Sequence, residues 1–333
     1  MPPTPRTLPV SHLALVALGA LVGLCAAEIG LRATGSAPHG PSEARFRVTP
    51  SEWVAPDPDS GWSLRPGSFR FTFGDGYSWT ARHDDDGHRV TPPGSGRVLE
   101  LHGGSFAYGL GLDDADSMGW RLQELLPEHD VRVRAVPGHG PLQAWAAMQD
   151  HIHDDTAPYA MIVTYASFHD ERVTWNRSWR RALGGTQFAD SVPATRTTSG
   201  PPRVESVDPR PSTLPGAHRS AAVARVDRWL ETRDERALES WRVTWNLLVE
   251  LHHLAKANGT YVLVVGLTDD EPTRAMMTSL QAHGVLTLDA GLDPADRRHQ
   301  LWPHDHHPNT AAADHWARSV ANLVQQGQTA PPS

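Results

Sequence analysis

A single cysteine, Cys25, stands in a chain of 333 residues, which rules out an internal disulfide framework. Basic charge is not in excess either. Thirty Lys and Arg face 38 Asp and Glu, for a formal net charge of −8, and no basic tail or stripe stands out. Nothing in this balance gives a reason to expect nucleic acid as a partner. No internal repeat is visible, and the length suffices for a buried core, as one large domain or two small ones. What is abundant is proline (28) and tryptophan (12), the composition of a loop-rich protein with aromatic surfaces.

Near the N-terminus, "HLALVALGALVGLCAAEIGLRATG" holds fifteen uncharged residues from Leu13 to Ala27, preceded by Arg6. That length is short for a span and suits a signal-peptide core. With Glu28 at the interface, the apolar stretch reaches Leu31 and can cross a bilayer. A cleavage site after Ala27, with Cys25 and Ala27 as the small residues, is the alternative. Leu24 argues against a lipoprotein signal, because a small residue is needed before that cysteine. Residues 1–33 are read as a membrane anchor in preference to a cleaved signal. Both readings place the remainder outside the cytoplasm, in the periplasm or at the cell surface, and cleavage would make it secreted.

Residues 34–90 are expected to be a linker and an irregular extension. Within it, "SFRFTFGDGYSWTARH" alternates apolar and polar residues around Gly-Asp-Gly, the pattern of a hairpin. A regular alternation then fills 91–328. "RVLELHG", "VRVRAVPG" and "YAMIVTYASF" read as strands; "DSMGWRLQELLPEH" and "PLQAWAAMQDHIH" read as helices. From Gly184 the period stops in a Pro-, Ser-, Thr- and Arg-rich stretch, and 184–218 is expected to be a disordered insertion or a lid. A helical region from Arg219 to Asn258 follows, then the strand "TYVLVVGL", a helix around "EPTRAMMTSLQAHG", the strand "VLTLDA", and a helix from Asn309 to Gln325. Strands alternating with helices imply an α/β fold, a three-layer α/β/α sandwich around a mainly parallel sheet.

Ligands and catalytic groups in such a sheet gather at the carboxyl ends of the strands. Those ends carry Gly103, Gly104 and Ser105; Pro137, Gly138, His139 and Gly140; Ser167, His169 and Asp170; and, before the last helix, Asp305 and His307 in "WPHDHHPN". A serine after two glycines is by itself an ordinary helix cap. Together these residues supply a nucleophile, a base, a carboxylate to orient the base, and donors for an oxyanion, the requirements of acyl transfer.

At this point most of residues 80–325 resembles the SGNH/GDSL hydrolases. "GGSFAYG" matches their first block, Gly-Asp-Ser-Phe-x-x-Gly; Gly138 in "AVPGHG" matches the second; His169-Asp170 stands where the third ends in Asn-Asp; Asp305, His307, Pro308 and Asn309 match the fourth. "HDDDGHRV" and "AAEIGLR" resemble segments of membrane-anchored members. The resemblance implies a flavodoxin-like sheet and a serine ester hydrolase or O-acyltransferase that needs no cofactor. Ser105 would be the nucleophile, His307 the base and Asp305 its orienting carboxylate. Oxyanion donors would be the amides of Ser105 and Gly138 and the side chain of His169. Acylated carbohydrate or a small ester would be the substrate. Two residues depart from the family pattern: Gly104 replaces an Asp, and His169 an Asn.

Two further readings start from the same residues. "HDHH" sets His304, Asp305, His306 and His307 at a spacing that can bind zinc. Gly104 and His169 also suit an SGNH-like fold kept as a glycan-binding or assembly module. "ERVTWNRSWRRAL", with Trp175, Trp179, Arg172, Arg177, Arg180 and Arg181, would then either meet sugars or pack its tryptophans on the core.

Overall fold

The computed structural model describes residues 10–40, 46–183 and 190–327. Arg6 and the first six residues of the stretch starting at Gly184 lie outside them. The apolar run forms helix α1 (Val10–Ala33), whose Ala14–Ala33 part has a mean hydropathy of 2.2. By length and composition that helix can cross a membrane, and none of it is buried in the protein.

The extension holds β1 (Phe46–Thr49), β2 (Val54–Asp57), β3 (Gly61–Leu64), β4 (Gly67–Phe73) and β5 (Ser78–His83). β4 and β5 form the hairpin around Gly-Asp-Gly, with β1 antiparallel on its other edge. The two-residue period buries Phe69, Phe71 and Phe73 on one face, where Trp79 stacks on Phe71 at 5.1 Å. β2 and β3 pair as a ribbon that turns Trp62 inward.

The alternating half begins with β6 (Arg97–His102), α2 (Ser105–Tyr108), α3 (Met118–Leu125), β7 (His129–Val133), α4 (Pro141–Asp154) and β8 (Ala160–Tyr165). Next come α5 (His169–Thr174), α6 (Arg177–Leu183), β9 (Val192–Thr195), β10 (Val204–Val207), α7 (Ala221–Glu231), α8 (Glu235–Leu238) and α9 (Ser240–Ala257). The chain closes with β11 (Tyr261–Thr268), α10 (Glu271–Ala282), β12 (Leu286–Leu292) and α11 (Thr310–Gln325).

Five of these strands form a parallel sheet in the order β7-β6-β8-β11-β12. Counted along the chain this is 2-1-3-4-5, the flavodoxin-like order, and it reverses between β6 and β8. Leu99, Leu101, Ile162, Leu263 and Val265 pack in one core with residues of α3 and α11 such as Leu122 and Trp316. Met161, Val163, Val262 and Val264 pack in another with α4, α9 and α10 through Met148, Leu248 and Leu280. Burial on both faces is why β8 and β11 read as near-continuous apolar runs.

One stretch differs from its sequence pattern. Over the described part of 184–218, where disorder or a lid is expected, β9 and β10 pair antiparallel with Val192, Ala194 and Thr195 buried. Asn246 on α9 fixes the hairpin loop by donating to the carbonyls of Thr197 (3.3 Å) and Gly200 (2.9 Å). Strands of four residues containing Pro193 are too short to show a period. The helical region after Arg219 is divided into three helices. Asp234 accepts the amide of Arg236 to start α8, and its other oxygen accepts the amide of Arg177 at 2.7 Å.

α1 is fastened to the start of α7, where Arg32 donates to the Arg219 carbonyl at 2.9 Å. The Glu28 carboxylate accepts the amides of Ala221 (2.9 Å) and Ala222 (3.0 Å) and the hydroxyl of Ser220 (2.8 Å). It thereby satisfies amides that the first turn of α7 leaves open.

Candidate active site

The reversal of strand order between β6 and β8 opens a crevice at their carboxyl ends, and the candidate residues stand there. β6 ends at His102, and Gly103 turns the chain at φ +152°. A Cβ on Gly103 would fall 1.9 Å from Thr164 Oγ1 of β8, so only glycine lets the turn cross this close to the neighbouring strand. Ser105 follows as the first residue of α2 and is buried.

α2 lasts one turn because Gly109 takes a left-handed conformation at φ +80°. Its open carbonyls are held by Arg89, which is fully buried. Nη1 of Arg89 donates to the carbonyls of Tyr108 (2.6 Å) and Gly109 (2.7 Å), and Nη2 to Leu112 (2.5 Å). Nε donates to Asp114 at 3.1 Å. Arg89 closes "HDDDGHRV", and this clamp is what that upstream segment contributes to the turn that carries Ser105. The motif was visible in the sequence; its target was not.

His307 reaches Ser105 from the loop before α11. Its Nδ1 bonds to the Asp305 carboxylate, which also accepts the His307 amide at 2.7 Å. A carboxylate only accepts, so Nδ1 carries the proton and Nε2 is left to accept from Ser105 Oγ–H, 3.0 Å away. Asn309 fixes the loop. Its Oδ1 caps α11 through the amides of Ala311 and Ala312, while Nδ2 donates to the carbonyls of Arg298 and Gln300. His304 and His306 turn elsewhere. His304 bonds Asp75 at 2.6 Å and stacks on Tyr77, and His306 meets Gln300 at 3.3 Å. Among the described residues, the "HDHH" side chains therefore do not converge on one point.

Gly138 lies in the turn after β7 at φ +92°, where a Cβ would come 2.6 Å from Trp62 Cζ2. Trp62 secures that turn, donating Nε1–H to the Pro137 carbonyl at 3.1 Å. The amides of Ser105 and Gly138 have no protein acceptor among the described residues. His169 opens α5, buried, with Nδ1 accepting the Ala166 amide at 3.2 Å. The proton is thus on Nε2, which faces residue 104. Burial, and then the neighbouring Arg172, hold its pKa well below the ordinary histidine value, so the ring is a neutral donor.

The Trp/Arg segment packs inward. Trp175 is buried edge-on against Trp62 at 6.0 Å. Arg177 pairs with Asp227 at 2.5 Å and Arg181 with Glu231 at 2.6 Å. Those two carboxylates lie with His39 in a cluster of metal-ligand type, but both are already neutralised by arginine. Beside the crevice, Phe106, Leu267, Leu292, Pro308, Ala312 and Trp316 line a shallow, mostly apolar cleft open to solvent.

All four blocks of the sequence resemblance meet on one edge of a flavodoxin-like sheet. The fold is a three-layer α/β/α sandwich with the flavodoxin-like strand order. No family's sequence model and no curated protein matches the chain. Among solved structures it is similar to TesA, at 12% identity and TM-score 0.41, covering 69% of this chain and 99% of that one. It is also similar to the psychrotrophic esterase EstA from Pseudoalteromonas sp., at 8% identity and TM-score 0.39, covering 70% and 99%. A third likeness is to a G-D-S-L family lipolytic protein from Desulfitobacterium hafniense DCB-2, at 8% and 0.36, covering 68% and 99%. Likenesses this distant carry no weight for activity, which rests on the geometry of the site.

Proposed function

We propose that the chain is a membrane-anchored, extracytoplasmic serine ester hydrolase or O-acyltransferase, with Ser105 as nucleophile. The observation that carries this reading is the continuous hydrogen-bonded chain from Asp305 through His307 to Ser105 Oγ. His307 Nε2 takes the Ser105 proton as Oγ attacks the ester carbonyl carbon. The carbonyl oxygen becomes an oxyanion beside the amides of Ser105 and Gly138 and the Nε2–H of His169. His307 then gives its proton to the leaving alkoxide, and the C–O bond breaks to leave an acyl-enzyme. A water or a sugar hydroxyl, deprotonated in turn by His307, attacks the acyl carbon and releases Ser105.

Water makes the protein an esterase; a sugar makes it an acyltransferase. The apolar cleft beside Phe106 suits the acyl portion of either substrate. An anchor in Ala14–Ala33, fastened through Glu28, would present the site at the cell surface, where acylated glycans are the accessible ester class.

Turnover of a chromogenic acetate ester by wild type and Ser105→Ala tests the proposal. Hydrolysis should vanish in the variant, and undiminished hydrolysis would sink it. Acetylated polysaccharide as donor, with a labelled oligosaccharide as acceptor, separates release of free acetate from transfer.

A further inference from the structure

Gly104, where the resemblance expects an aspartate, is not simply an empty position. A Cβ built on it would lie 2.3 Å from Arg172 Nη1, 2.9 Å from the His139 carbonyl oxygen and 3.4 Å from His169 Nε2. Its φ of −97° is open to any residue, so the backbone does not demand glycine here. What fills the space is the Arg172 guanidinium. It donates Nη1–H to the His139 carbonyl at 2.7 Å and lies over the rings of Phe168 (4.7 Å) and Trp179 (4.6 Å). Its Nε is buried without a hydrogen-bond partner, and no carboxylate pairs with it among the described residues.

Arg172 sits on α5 three residues after His169, one turn along the same helix. The carbonyl it grips belongs to the residue after Gly138. One side chain thus touches all three stretches that carry the oxyanion donors: Gly104 beside Ser105, the Gly138–His139 turn, and the helix opened by His169. We propose that Arg172 is the positioning residue of the oxyanion pocket, locking the Gly138 amide and the His169 imidazole behind Ser105 in the space that Gly104 leaves open. Gly104 and His169, the two departures from the family pattern, are then coupled through Arg172 rather than separate losses. A planar guanidinium suits this place, because it can grip a carbonyl while its faces pack on aromatic rings. As a cation beside His169 it also disfavours the imidazolium form, which keeps that ring a neutral Nε2–H donor.

This inference rests on Ser105 being the nucleophile, and its test separates the two claims. Arg172→Ala, Gly104→Ala and the double variant are compared on a small neutral ester, with kcat and KM measured separately. Arg172→Ala should lower kcat about tenfold to a hundredfold with KM little changed, the cost of misplacing reacting groups. Guanidinium ion, added well below denaturing concentrations, should restore part of that kcat, and sodium ion at equal ionic strength should not. Gly104→Ala should also lower kcat, because its methyl displaces the guanidinium, and the double variant should be no slower than Arg172→Ala alone. Full kcat in either single variant overturns the proposal. So do losses that multiply in the double variant, or a loss without guanidinium rescue. If Arg172→Ala does not fold, Gly104→Ala decides alone. If Ser105→Ala stays active, the functional reading fails first; if Ser105→Ala is dead and both single variants are normal, only this inference fails.

Discussion

Nε2 of His307 stands 3.0 Å from Oγ of Ser105, joining residues 202 positions apart. One comes from the first turn after β6, the other from the loop before α11, and the parallel sheet places both strand ends on one edge. Asp305 holds the imidazole from behind through Nδ1 and through the His307 amide. Asp305→Asn leaves a group that can present the wrong hydrogen-bonding face to Nδ1, and should lower kcat about 10⁴-fold while Ser105 stays in place. Steady-state kinetics on a chromogenic acetate check this, and a loss under tenfold would remove Asp305 from the mechanism.

Arg89 carries a larger structural burden. It grips three carbonyls around the end of α2 and pairs with Asp114, which is itself buried. Arg89→Leu leaves that carboxylate with the half-exposed Arg82 as its one cation partner among the described residues and frees the carbonyls of the turn that carries Ser105. The expected cost is about 3–5 kcal/mol in denaturant unfolding, with ester turnover lost in parallel. A variant as stable as wild type would show the clamp to be dispensable.

Gly138 is constrained in two ways, by φ +92° and by Trp62 where a Cβ would lie. Gly138→Ala should cost about 1–3 kcal/mol of stability, the strain of a left-handed or otherwise sparsely populated backbone position. It should also lower kcat more than it raises KM, since the moved amide is one of the proposed oxyanion donors. Thermal melting together with separate kcat and KM values tests both halves.

The chain also has a pH signature away from the nucleophile. Burial pushes the Asp170 carboxyl up to about 7, despite the Tyr165 hydroxyl it accepts at 3.1 Å. Between an ordinary value near 4 and that figure, the folded chain keeps a proton that the unfolded chain releases. This group's contribution to stability is therefore complete below about pH 4 and lost as pH rises through 7. Asp170→Asn should gain on wild type by on the order of 4 kcal/mol between pH 4 and pH 8. Melting curves that shift in parallel at both pH values would contradict it.

Much of this architecture is legible in the sequence because it rests on local periods. "AMIVTY" and "YVLVVGLT" are apolar runs buried on both faces, and Gly-Asp-Gly marks its hairpin directly. Ser105, Gly138, His169, Asp305 and His307 are legible as a set because each ends a strand or precedes a helix. The β9–β10 hairpin is not, because four-residue strands show no period and are held by Asn246, some fifty positions away. Neither is the role of Arg172. On the page it belongs to a basic, tryptophan-containing run, and only the folded chain brings it to residue 104, 68 positions earlier. Of the two readings of that run's tryptophans, contact with sugars or packing on the core, the folded chain shows the second, with Trp175 buried and Trp179 partly buried against the core.

Covalent labelling of the full chain by a fluorophosphonate, followed by peptide mapping, tests the central claim most directly. The reagent reacts only with an activated nucleophile and needs no knowledge of the natural ester. The expected result is one adduct, on Ser105, formed rapidly in wild type, sharply slowed in His307→Ala and absent in Ser105→Ala. No adduct in wild type, or an adduct on another residue that survives Ser105→Ala, would contradict it.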